Sequence, residues 1–270
     1  MKKYLAVFDY RTLLLLLLSF VSSYTCYHFQ LSLYLDFLIV GLLIAFPLTL
    51  TIKEAFKRRE KALQYLSLFK ASLHSVFYSI QNTKLDQEQK SEFRAIATAL
   101  TDQLSAYLLS ESKTNSNEVA AASERVALFI NKHKKELKSS LAQKILLFLF
   151  RLNESIEFLV ATKKHRTPKT LRLIVLFSIF MFTMFYPAGF LKDVGFEVAF
   201  WQVFASTAFK SLLLISLYNV QALLEDPFDQ RGTDGIQVNN FAFSASDFPP
   251  VTKKEKAEKN SIDEEDDLLD

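Results

Sequence analysis

The chain has 270 residues, half of them hydrophobic, with 32 Lys and Arg against 29 Asp and Glu, and 26 Phe against only 5 Gly and 6 Pro. This balance argues against strand-rich and loop-rich folds and favours long apolar helices. Cys26 is the single cysteine, so it is read as an inert thiol with no partner for an intrachain disulfide or a Cys-based zinc site.

Four windows are apolar and long enough to cross about 30 Å of hydrocarbon at about 20 residues each. The first, Thr12 to Phe29, is the shortest. Lys2, Lys3 and Arg11 ahead of Leu13 to Leu18 also suit a signal peptide, but Ser22-Ser23-Tyr24-Thr25-Cys26 lacks a small-x-small cleavage pattern. The segment is therefore read as a retained span.

The second window, Leu31 to Ile52, carries Leu38, Leu42 and Phe46 at i, i+4 and i+8, along one helical face. Such a stripe can build a dewetting constriction if several copies surround an axis, and ordinary packing against lipid or helices explains every one of these residues too. Gly41 and Ala45 offer a small face for a neighbouring helix, and Pro47 weakens the backbone ladder.

From Lys53 to Thr170 the chain is basic, with 21 Lys and Arg against 12 Asp and Glu. Ala62, Leu66, Phe69, Leu73, Val76, Phe77 and Ile80 have amphipathic helical spacing, as do Leu141, Ile145, Phe148, Leu152, Ile156 and Leu159. Asp86 to Leu109 reads as a more polar helix between them, and Lys113 to Glu118 as a loop. No helix breaker separates Ile52 from Lys53. Basic clusters after the second window and before the third place this region in the cytoplasm by the positive-inside rule.

The third and fourth windows are Leu171 to Leu191 and Ala199 to Leu217. Lys210 lies in the fourth among Ala, Phe and Leu, where a charge is costly unless it faces protein or water. It either faces a pathway or marks a shifted span, with Ser211 to Leu224 continuing as a soluble helix.

After the fourth window comes Glu225-Asp226-Pro227-Phe228-Asp229, then Gln230, Arg231, Gly232, Thr233 and Asp234. Pro227 stops the helix, and Phe228 is placed to anchor the next segment against protein. Glu225, Asp226, Asp229 and Asp234 are candidate oxygen ligands for calcium, a solvated acidic turn, or partners for the basic region. Ile236 to Phe248 is apolar enough to pack on the helices, and Val251 to Asp270 has the composition of a disordered acidic tail. Catalysis has little support, because His28, His74, His133 and His165 fall in four separate segments and no nucleophile or phosphate-loop motif is present.

Two membrane helices, a long cytoplasmic helical insert and two more membrane helices resemble the layout of the bestrophin family, especially its bacterial branch. Phe46-Pro47-Leu48-Thr49-Leu50 and Leu224-Glu225-Asp226-Pro227-Phe228-Asp229 carry the resemblance. It implies a homopentameric ion channel whose second helix lines one axial pore, with Leu38, Leu42 and Phe46 as the neck and Asp226 to Asp234 at the position of the calcium clasp of animal members. Gln230 to Thr233 interrupt the acidic run, Phe56-Lys57-Arg58-Arg59-Glu60 replaces an aromatic pair, and some bacterial members conduct cations.

The expectation is an all-α membrane protein with four transmembrane helices and a cytoplasmic insert, divided at 1–52, 53–170, 171–224, 225–250 and 251–270. It would be a non-enzymatic homopentamer conducting chloride or other monovalent anions across an inner or plasma membrane, with both termini cytoplasmic. Its partners would be copies of itself, the bilayer and monovalent ions, not nucleic acid; no cofactor is required and calcium stays open. The alternative is a membrane scaffold whose cytoplasmic helices bind a partner.

Overall fold

The computed structural model describes residues 9–34, 36–110, 116–137, 139–165, 169–230 and 235–243. Within them lie α1 (Tyr10–His28), α2 (Phe37–Gln81), α3 (Gln87–Leu109), α4 (Ser116–Lys132), α5 (Ser139–Lys164), α6 (Lys169–Val194), α7 (Phe200–Leu224) and a short 3-10 turn at Val238–Phe241. The described residues contain no strand.

The helices form two joined bundles. In the apolar one, α1, α6, α7 and the first part of α2 bury Leu15, Ile44, Leu48, Ile179, Phe182 and Ile215. Among the described residues three helices, α2, α6 and α7, are long and apolar enough to cross a membrane. The first window departs from expectation: α1 has 19 residues but is not among these three. Arg11, Ser19, Ser22, Ser23 and Thr25 dilute its leucines. It still packs into the bundle, where Ser22 Oγ donates to the Met184 carbonyl at 2.5 Å.

Helix α2 joins the bundles. It runs for 45 residues through position 52, with Pro47 inside it. Its start lies six residues beyond the expected Leu31, where Asp36 caps it: Asp36 Oδ1 accepts from the Leu38 and Ile39 amides at 3.0 and 3.3 Å. In the second bundle Leu66, Phe69, Leu73, Val76, Phe77 and Ile80 of α2 are buried against Ile145, Leu152, Ile156 and Leu159 of α5. Each such side chain contributes roughly 1.5–3 kcal/mol by leaving water. The Arg58 guanidinium ties the same pair of helices, donating to the Thr162 and His165 carbonyls.

Helix α3 opens with a capping box, in which the Asp86 amide donates to Gln89 Oε1 at 2.9 Å. The expected loop from Lys113 to Glu118 is shorter than read, because Ser116 begins α4. That helix buries Val119, Ala122, Val126, Phe129 and Ile130, whose three-and-four spacing outweighs the local Ser and Asn content. After α7 the chain returns to the second bundle. Ile236, Val238 and Phe243 are buried there, and Phe243 meets the Phe77 ring edge-on at 5.2 Å. The expected tail beyond residue 243, including Phe248 and Val251 to Asp270, lies outside the described residues.

Candidate functional site

The orientation of α2 is set at its first residue. A Cβ on Gly189 of α6 would stand 1.8 Å from the Phe37 ring, so only glycine lets that ring lie against the α6 backbone. The ring also meets Tyr186 and Phe182 edge-on at 5.5 and 6.1 Å. With Phe37 inward, Ile44 and Leu48 follow into the core. Leu38, Leu42 and Phe46 then face away from the chain's own core, 78%, 65% and 65% exposed. Ile39, Leu43 and Leu50 are exposed as well, so the apolar face is broader than the three-residue stripe.

Lys210 sits ten residues into α7, about 15 Å along the helix at 1.5 Å per residue. Its Nζ donates to the Tyr186 hydroxyl at 2.6 Å and lies 4.4 Å from that ring's centroid. Helix α7 continues unbroken past the lysine to Leu224, as both readings of Lys210 expect. A groove of about 770 Å³ opens beside it between α2, α6 and α7, lined by Leu38 and Gly41 but not by Leu42 or Phe46.

The acidic segment is organised around two ion pairs. Glu225 is 3% exposed, and its Oε2 accepts from Arg172 Nη1 at 2.6 Å. Asp226 Oδ2 lies 3.3 Å from Lys163 Nζ, while its Oδ1 accepts from the Phe228 amide at 3.1 Å. Pro227 stops α7 because it disfavours helical geometry in the residue before it. Phe228 is 1% exposed in the core of the second bundle.

The strap closes on itself: the Ile236 amide donates to the Pro227 carbonyl at 2.8 Å, and Gln230 Nε2 donates to the Ile236 carbonyl at 2.8 Å. Gly235 permits the closure, since a Cβ there would stand 2.1 Å from the Asp229 carbonyl oxygen. Asp234 lies outside the described residues. The pairing with the basic region expected for these carboxylates is found at Glu225 with the carboxylate itself buried and Arg172 still partly exposed.

This arrangement is a poor fit to calcium. Glu225 and Asp226 are committed to Arg172, Lys163 and a backbone amide. Among the described residues no group of three or more His, Cys, Asp or Glu gathers at one point. The sequence offers the basic region as a partner for the acidic segment without naming Arg172 or Lys163 as its partners, and it does not single out Tyr186 or Gly189. Glycine in an apolar helix that otherwise avoids it was the available signal for close approach at Gly189.

No protein-family description matches this sequence, and no curated protein matches it. Solved structures do. A bacterial Bestrophin homolog from Klebsiella pneumoniae superposes with a TM-score of 0.71 at 17% identity, covering 86% of this chain and 93% of that one. A point mutant of the same homolog gives 0.71 at 15% identity, with 86% and 94% coverage. A variant described only as a membrane protein gives 0.70 at 17% identity, with 86% and 93% coverage. At such identities the architecture is what is shared: this chain adopts the fold of the bacterial bestrophin homologs.

Proposed function

We propose that this chain is the subunit of a homopentameric passive channel for monovalent anions, chloride among them, with Leu38, Leu42 and Phe46 as the apolar neck of an axial pore. One observation carries the reading: within a bestrophin fold, this stripe is rotated away from the subunit's own core. Five copies of a Leu-Leu-Phe face around an axis make a constriction about 12 Å long, at 1.5 Å per residue, which an ion passes only by shedding part of its water. Helices α1, α2, α6 and α7 are the four spans, α1 being held by its neighbours rather than by its own hydropathy.

Both termini and the second bundle face the cytoplasm, as the basic clusters flanking the spans require. The excess of Lys and Arg between residues 53 and 170 raises the local anion concentration, over a screening distance of about 8 Å. The strap residues Glu225, Asp226 and Phe228 fasten the spans to that bundle. No step is assigned to calcium.

The test is oligomeric order followed by current. Five-fold particles with α2 on the axis, and bilayer currents whose reversal potential follows the chloride gradient, are expected. Monomers or dimers, or silent pentamers, sink the proposal; currents that follow the cation gradient overturn its anion part.

A scaffold reading rests on α5. In the stretch Ile145 to Phe150 both faces are apolar: Ile145 and Leu149 are buried, while Leu146, Leu147 and Phe150 are exposed. A helix apolar all round requires a second partner. That partner is another subunit in the channel reading and a different protein in the scaffold reading, which a monodisperse pentamer with this face covered would exclude.

A further inference from the structure

The groove beside Lys210 has the two properties of an organic-anion site, a suitable size and an unmatched charge. Its volume of about 770 Å³ falls within the range of small-molecule sites, roughly 300–1,000 Å³, and far exceeds what a halide needs. Phe37, Phe182, Phe190 and Leu214 supply apolar walls. Lys210 stands among them about 15 Å along α7, close to half of a 30 Å hydrocarbon layer.

An ammonium at that depth is costly unless something offsets its charge. Among the described residues its contacts are the neutral Tyr186 hydroxyl and ring, and no carboxylate lies within ion-pair distance. Two acids also line the groove, and neither forms an ion pair with Lys210: Asp36 is occupied capping α2, and Asp193 adjoins Lys192, whose amine lies 4.4 Å from the Tyr34 ring centroid.

We propose that this groove binds a monocarboxylate with an apolar body, entering from the side where α6 turns into α7. Its carboxylate accepts a hydrogen bond from Lys210 Nζ, and its hydrocarbon part lies against the phenylalanines. The depth of the lysine decides the source. A bilayer phospholipid at its normal level keeps its phosphate near the membrane surface, about 15 Å short of Lys210, so the occupant is a free carboxylate from the aqueous phase. The direction of approach rests on the membrane topology proposed above.

Binding is testable without measuring current, on the full-length purified oligomer, by calorimetric titration of 1-naphthoate. Saturable binding is expected. It should weaken about tenfold or more in Lys210→Met, as loss of a charge-assisted hydrogen bond implies, and likewise for uncharged 1-naphthamide on the unaltered protein. Leu213→Trp fills the groove while keeping the lysine, and should abolish binding. Absence of saturation, equal binding of the amide, or unchanged affinity in Lys210→Met overturns the site. Should Lys210→Met fail to assemble, unchanged binding in Leu213→Trp does so instead. A conducting protein that does not bind refutes this site alone, and a silent protein that binds refutes the channel reading alone.

Discussion

Helix α2 is one uninterrupted rod that behaves as two different objects. Between Ala62 and Ile80 every third or fourth residue is apolar and sealed in the chain's own core. Between Leu38 and Leu50 apolar residues occur nearly all round, and most remain exposed. The difference teaches where the missing partner lies. A bundle in water must bury its apolar stripe within the chain, whereas a helix in hydrocarbon gains nothing by doing so and leaves its surface for lipid, pore or another subunit.

Substitutions along this one helix test the contrast, and the buried half should respond most. Phe69→Ala removes a fully buried ring and is expected to cost about 3–5 kcal/mol, read as a lower melting temperature and loss of cooperative unfolding in mild detergent. If it costs no more than a surface change, the second bundle is not the chain's stabilising core.

The strap that joins the two halves comes next. Arg172→Met strands the Glu225 carboxylate, and about 2–4 kcal/mol should be lost, less than for a fully buried pair because the arginine is 25% exposed. Adding Glu225→Gln should restore part of that loss; a double mutant as unstable as the sum of both singles would mean the pair is not coupled. Gly235→Ala drives a methyl into the Asp229 carbonyl and should cost about 1–3 kcal/mol, detected as faster proteolysis of the segment after α7.

The smallest effect on subunit stability belongs to the exposed half. Phe46→Ala should change the melting temperature of the isolated subunit by no more than an ordinary surface substitution, within about 0.5 kcal/mol. Conductance of the reconstituted protein should instead rise several-fold as the neck widens. A large stability loss with unaltered current would place Phe46 in packing rather than in a pore.

Much of the helical framework was legible because its signals are local. The spacing of Leu66, Phe69, Leu73 and Phe77 reports a buried face whatever the partner is, and the polar helix from Asp86 to Leu109 is readable over its own length, its Asp86–Gln89 cap being added by the structure. Helix α4 was missed because Ser, Thr and Asn in 113–118 look like a loop, although Val119, Ala122 and Val126 carry the same period. The stripe of Leu38, Leu42 and Phe46 was legible as a face, but its direction was not. That depends on Phe37 reaching Gly189, more than 150 residues away in the chain.

By itself, then, the sequence determined an all-helical chain with apolar spans, a basic helical region between them and a helix stop at Pro227, since periodicity, hydropathy and proline geometry act over a few residues. Tertiary structure alone decided that Glu225 is buried against Arg172, that Phe228 plugs the second bundle, and that Lys210 meets Tyr186 beside a groove. Each of those contacts joins positions remote in sequence, and only the folded chain sets their distances and the water they exclude.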